Sequence, residues 1–221
     1  MGSNGPSTVT SNGLTSGCVL ADGFASVPAG RVATIVTSLE MTVRPGDLVS
    51  TPLPQGVALE RVTHPDLDWY RQLFRSVGED WLWFSRLRLD DAQLSAVVHD
   101  PNVHVHALTV SSPTGTVAEA GILELDFRTA GQCEIAFFGL KSAFLGQGLG
   151  RDMMNAAIER AWRQPITRLW VHTCTLDHPA ALAFYRRSGF TVYRQQVEIA
   201  LDPRVAGELP RTAGPHVPII E

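Results

Sequence analysis

Phe144-Leu145-Gly146-Gln147-Gly148-Leu149-Gly150-Arg151 lies between an apolar run, 133–140, and an amphipathic stretch, 148–163. Glycines at 146, 148 and 150 let the backbone bend tightly and come close to a ligand. A helix that begins here offers free N–H groups and a partial positive charge. Strand, glycine loop and helix N-terminus together make a site for phosphate or pyrophosphate. Two common phosphate loops do not fit. A dinucleotide fingerprint needs Gly at i, i+2 and i+5. Counted from Gly146 the third place is Arg151, and from Gly148 it is Met153. A P-loop closes on Gly-Lys-Ser/Thr, whereas this loop closes on Gly150-Arg151-Asp152. Taken alone, the loop reads equally well as a plain glycine-rich turn.

The flanks decide between these readings. Cys133-Glu134-Ile135-Ala136-Phe137-Phe138-Gly139-Leu140 is short and apolar, as a strand is. Met153, Met154, Ala157, Ile158, Ala161 and Trp162 recur at three- and four-residue steps, which predicts a helix over 148–163 that Pro165 closes. Residues 168–174 read as a further strand. Asp177-His178-Pro179-Ala180-Ala181-Leu182-Ala183-Phe184-Tyr185-Arg186-Arg187-Ser188-Gly189-Phe190 follows. There Asp177 suits an N-cap, with His178 beside it, Pro179 a first turn and Gly189 a stop.

With both segments in view, the chain resembles the GCN5-related N-acetyltransferase (GNAT) family. The family's acyl-CoA loop, Gln/Arg-x-x-Gly-x-Gly/Ala, is matched by Leu145-Gly146-Gln147-Gly148-Leu149-Gly150. Its second signature, Asn-x-x-Ala-x-x-hydrophobic-Tyr-x-x-x-Gly-Phe, is matched by residues 178–190. Both stand in order, with a helix and a strand between them. Leu145 replaces the usual Gln or Arg, and His178 replaces the common Asn. The resemblance covers roughly residues 100–200 and extends back to about 57. It implies an α/β, GNAT-like acyl-CoA N-acyltransferase fold. The expected architecture is a mixed, mostly antiparallel sheet, splayed at the cofactor site and flanked by helices.

Composition fits that expectation. Apolar residues make up 44% of the 221, enough for a real core. A net charge of −4 argues against a nucleic-acid footprint. Three unevenly placed cysteines, Cys18, Cys133 and Cys174, suit a reduced, cytoplasmic protein better than a disulfide scaffold. No run reaches membrane-spanning length, and no secretory signal is evident, so neither membrane nor nucleic acid is expected as a partner.

The rest of the chain is read outward from the core. Residues 1–30 are rich in Ser, Thr, Gly and Asn and read as a tail; Met1-Gly2-Ser3 could be a remnant of expression. Residues 31–43 have strong β character, and 44–56 read as a proline-rich connector. The expected division is an N-terminal extension over 1–56, an acetyltransferase domain over 57–202 and a C-terminal tail over 203–221. Residues 56–62 predict a strand, 66–77 and 90–99 helices, with Asp90 as a cap. Residues 103–110 and 116–127 predict a hairpin turning at Ser112-Pro113-Thr114-Gly115, and 190–201 a final strand. A homodimer through residues 1–56 is open but not required.

The resemblance implies acetyl-CoA as cofactor and an amine acceptor, a small molecule or a peptide. It implies that Phe138, Gly139 and Leu140 hold the pantetheine arm, and that Gln147, Gly148, Gly150 and Arg151 offer amides to the pyrophosphate. Leu149 lies in the same loop, and His178 and Ala181 open the second signature helix. Tyr185 stands at the family's acid position, where a phenol can protonate a departing thiolate; its other reading is a core aromatic beside Phe184. Glu134 matches the position of the family's base, a carboxylate shifted upward in a partly apolar cleft; its other reading is a structural ion pair. Glu124 is a rival on the neighbouring strand, sharing a face with Asp126.

Residues 78–86 hold Trp81, Trp83 and Phe84. They suggest either an aromatic wall for an acceptor or core anchors. Arg86 could pair an acidic group of the acceptor, and Glu79 or Asp80 could draw a cationic one. His104 and His106 share a strand face and read as solvated rather than as metal ligands, and no metal is expected. His172 could relay a proton, or be hydrogen-bonded in the core. No acyl-enzyme nucleophile is recognised. The expected function is therefore N-acetyl transfer by direct attack. A non-catalytic acyl-CoA-sensing module and a protein acetyltransferase are the alternatives.

Overall fold

The computed structural model describes residues 22–46 and 52–221. Strands β1 (Arg31–Met41), β2 (Val57–Arg61), β3 (Val103–Ser111), β4 (Val117–Asp126), β5 (Gln132–Leu140), β6 (Arg168–Cys174) and β7 (Thr191–Leu201) form one sheet. Helices α1 (Leu67–Gly78), α2 (Asp91–Val98), α3 (Leu149–Ala161) and α4 (Ala181–Arg187) flank it. Strand order is β2-β3-β4-β5-β6-β1-β7. Only β5 and β6 pair in parallel; the other neighbours are antiparallel, as expected.

Both faces of the central strands are covered. β4 is buried from Ala120 to Asp126, so its inner half reads as a continuous run, not an alternation. Ile122 faces one cluster, with Tyr70, Leu73, Phe74 and Val77 of α1. Leu123 faces the other, with Met153, Met154, Ala157 and Ile158 of α3. Each such large side chain is worth about 1.5–3 kcal/mol in burial. Asp66 caps α1 through the Trp69 amide. Asp90 caps α2, and Gln93 completes a reciprocal capping box.

The chain ends depart from the expected division. The tail reading of 1–30 and Cys18 fall in part on residues 1–21, outside the described residues, as 47–51 do within the connector. β1, however, is an interior strand. It pairs with β6 on one side and along its length with β7 on the other. Its eleven residues complete the sheet, so the division at 56/57 cuts through a shared core. Residues 203–221 are likewise packed. The Arg204 guanidinium is buried on Asp202, at 2.7 and 3.0 Å, and also donates to the carbonyls of Ala213, Gly214 and Val217. That pairing holds the Asp202 carboxyl below its ordinary range. Leu209 and Ala213 pack on Val32, Leu82 and Leu176. Neither segment carries a long apolar run, which is why composition reads them as peripheral.

Candidate active site

β5 and β6 pair only from Gln132/Arg168 to Ile135/Val171. At that point Ala136 is an extra residue. Glu124 faces Phe137 and Leu125 faces Ile135, leaving Ala136 unmatched in the β4 ladder. Such a bulge bends a strand and increases its twist. Past it, β6 keeps its pairing with β1 up to Cys174, while residues 136–140 of β5 lose their neighbour on that side. The result is a V-shaped gap in the sheet.

A cavity of about 600 Å³ occupies the gap. One wall is Phe137, Phe138, Gly139 and Leu140. Gly139 cannot carry a side chain, because a Cβ there would lie 2.5 Å from Val77 and 3.0 Å from Trp83. At one end the cavity meets Leu145, Gly146 and Gly150. Gly146 and Gly148 adopt φ of +76° and +84°, which glycine alone takes readily. Gly148 caps α3 with no side-chain partner. The amides of Gln147, Gly148, Leu149 and Gly150 have no hydrogen-bond partner among the described residues. They stand at a helix N-terminus, where an anion is favoured. The Arg151 amide is not among them, since it donates to the Gly148 carbonyl at 3.0 Å. Its exposed side chain is what remains for a phosphate. Leu149 turns its side chain into the core, and the Gln147 side chain folds back on the Ala143 carbonyl.

Tyr185 lies on α4, 7% exposed, and lines the cavity with Phe184, Ala181 and His178. Its ring packs edge-on to Phe138 and Phe190. Its hydroxyl has no hydrogen-bond partner among the described residues. Burial, reinforced by the Asp177 carboxylate, raises its pKa above the ordinary tyrosine value. The phenol therefore stays protonated at neutral pH, as an acid must.

Asp177 does not cap α4. The helix begins after Ala180, whose amide donates to His178 Nδ1 at 3.1 Å. Asp177 instead accepts from the Thr173 hydroxyl (2.7 Å), the Cys174 amide (2.8 Å) and Trp83 Nε1 (3.2 Å). It clasps β6 to the aromatic segment and faces the cavity. Pro179 and the sharp turn displace the helix start; Gly189, at φ +97°, ends the helix as expected.

Glu134 is not a lone carboxylate in an apolar cleft. It shares a sheet face with Trp170 and His172, and its Oε1 lies 3.4 Å from His172 Nδ1. His172 lines the cavity at the first position beyond the last β5–β6 pair. Burial pulls its pKa down, but Glu134, with Asp177 and Glu198, pulls it above the ordinary value. The pairing links residues 38 positions apart in sequence, and no local pattern announces it.

Glu124 and Arg86 are not free to meet an acceptor. Glu124 is 0% exposed. Its two oxygens accept from Arg86 Nη2 at 2.5 Å and from the Tyr70 hydroxyl at 2.6 Å. Arg86 also lies over the Phe137 ring at 5.0 Å. The two charges fix the aromatic segment to the sheet from behind. Trp81, Leu82, Trp83, Phe84 and Ser85 then line the cavity. Leu82, at φ +53°, is the buried anchor; Trp81, Trp83 and Phe84 are half-buried. Opposite stand Val32 and Thr34 of β1 with Glu198 and Ala200 of β7.

His104 and His106 lie outside the cavity. His106 is buried rather than solvated, and burial, then Arg160 and His104, lowers its pKa to about 4. No group of three or more metal-ligating side chains occurs among the described residues. Burial raises both the Cys133 and Cys174 thiols, so neither is a ready nucleophile.

The model of the Acetyltransferase (GNAT) family matches residues 67–190. The chain belongs to that family. Solved structures share its fold. A GCN5-related N-acetyltransferase from Sphaerobacter thermophilus aligns with TM-score 0.52 at 17% identity, over 79% of this chain and 52% of that one. One from Kribbella flavida aligns with TM-score 0.50 at 19% identity, over 80% and 63%. An aminoglycoside acetyltransferase from an uncultured soil metagenomic sample aligns with TM-score 0.50 at 19% identity, over 65% and 93%. The chain thus spans 52% and 63% of the first two GNAT structures. The curated proteins contain no match. Among the described residues, no helix is long and apolar enough to cross a membrane.

Proposed function

We propose that this GNAT protein moves an acetyl group from acetyl-CoA to a primary amine by direct attack. The observation that carries the proposal is the gap between β5 and β6, which runs from the unpartnered amides at α3 to the Tyr185 hydroxyl. Acetyl-CoA, when bound, supplies a thioester carbon to the amine and a thiolate to leave. The free edge of β5 at Phe138, Gly139 and Leu140 holds the pantetheine arm. The amides of Gln147, Gly148, Leu149 and Gly150 hold the pyrophosphate, with the Arg151 side chain as countercharge. His178 and Ala181 border the arm.

Asp177 and Glu198 give the acceptor end a negative lining, and Glu134 stands behind it on His172. They draw a cationic amine, and Trp81 and Trp83 pack on its apolar part. His172 takes the amine proton, with Glu134 positioning its ring. As the N–C bond forms and the C–S bond breaks, Tyr185 donates its proton to the sulfur. Arg86 and Glu124 serve this site only by holding the aromatic segment.

The test is thiol release from acetyl-CoA against a panel of amines, amino acids and peptides, beside CoA calorimetry. CoA binding with release on one acceptor class supports the proposal. CoA binding with no release on any acceptor favours a sensing module instead, and no binding at all removes the cofactor assignment.

A further inference from the structure

β7 is an edge strand with almost no cover. Ten or more residues of such a strand are usually blunted by Lys, Pro or a covering element. β7 contains neither Lys nor Pro, and its one bulge, at Tyr193, leaves Arg194 to Leu201 in regular register. No described residue pairs with its outer edge. Val197, Ile199 and Leu201 are each 45% exposed on one face, and Ile35 of β1, opposite Val197, continues the row at 41%. The same face of β1 carries Leu39 and Met41, which are covered by the α3–α4 core. The apolar face therefore continues past its cover and ends at an open edge.

The strand is also complementary to itself. If two copies of β7 lie antiparallel about Gln196, the stretch Arg194 to Glu198, which is clear of the bulge at Tyr193, pairs with itself. Arg194 of one copy then stands opposite Glu198 of the other, twice. Gln195 meets Val197. No like charges are opposed, and Val197 gains a cross-strand neighbour.

We propose that β7 pairs with β7 of a second copy, extending the two sheets into one across a two-fold axis. Glu198 lines the cavity, so Arg194 of the second copy reaches the rim of the acceptor end. The proposal does not depend on the chemistry of that site.

Sedimentation velocity of the full chain, from about 1 to 100 µM, tests it. A mass twice the 24.0 kDa of the chain is expected. Arg194→Glu places two carboxylates opposite each other in both pairs and raises the dimer Kd at least ~10-fold, about 1.4 kcal/mol. The exchange R194E/E198R restores the dimer. Ile199→Lys, at an exposed position, abolishes it with unchanged circular dichroism. A wild-type monomer at the top concentration overturns the proposal. So does a dimer indifferent to both Arg194→Glu and Ile199→Lys. A chain lacking residues 1–21 that dimerises when the full chain does not would assign the edge to the protein's own N-terminus, also overturning it.

Discussion

Replacing Tyr185 by Phe removes one oxygen, and the structure predicts opposite outcomes for stability and turnover. The hydroxyl has no protein partner among the described residues, so no hydrogen bond is lost with it. The ring contacts to Phe138, Phe184 and Phe190 are kept by Phe. A surface or unpaired hydroxyl removed without a cavity changes stability by about 0.5 kcal/mol or less, and removing an unsatisfied one is neutral or stabilising. The urea midpoint should therefore stay where it is. Turnover should not. A positioned acid contributes about 10²–10⁴-fold, which corresponds to roughly 3–5 kcal/mol of barrier. CoA affinity should change little, because the loop amides and the β5 edge carry it. The assay is thiol release at saturating acceptor, with CoA titration calorimetry and urea unfolding of the same preparations. Because burial raises the phenol's pKa, the wild-type rate should also show no alkaline loss from Tyr185 below about pH 10. Unchanged kcat in Tyr185→Phe would refute the acid role. A large loss of stability would refute the reading that its hydroxyl faces the cavity unpartnered.

Glu134→Gln should keep the hydrogen bond to His172 but drop the charge that raises the imidazole. The acid limb of kcat/KM should move to lower pH, and a limb that does not move would break the link between the pair. Glu124→Leu leaves Arg86 buried and unpaired, and should cost about 3–5 kcal/mol in urea unfolding; a loss under about 1 kcal/mol would show that the charge finds water. His106, neutral and buried with its pKa near 4, destabilises the fold only in acid. Its contribution is complete above an unfolded value of about 6.5 and lost as pH falls toward 4, by roughly 3 kcal/mol. His106→Leu should flatten that dependence between pH 7 and 4.5, and an unflattened urea-midpoint profile would refute it.

The legible parts of this chain were those whose signals are local. The glycine loop, the three- and four-residue apolar steps of α3, the Asp90 cap and the Gly115 hairpin each lie within a few positions, and each formed where it was expected. The illegible parts depend on partners far away in sequence. β character marks residues 31–43 as a strand but cannot say that it enters between β6 and β7. Asp177 fits an N-cap by type and spacing, but Trp83 and Thr173 compete for it more strongly. Glu124 and Arg86 look like acceptor ligands until the sheet register turns one onto the other. The short polar segment 203–221 gives no sign of the Arg204–Asp202 pair that anchors it.

The place of β1 also sets the order of events at the ribosome. Arg31 meets its neighbours only at Leu201, and Met41 only at Leu169. At synthesis rates of about 5–20 residues per second, the first strand emerges roughly ten to thirty seconds before the last. Through that interval a strand segment of eleven residues waits without a sheet to join. The nascent chain is thus exposed to chaperones, or to other nascent chains, at the segment that finally seals the fold.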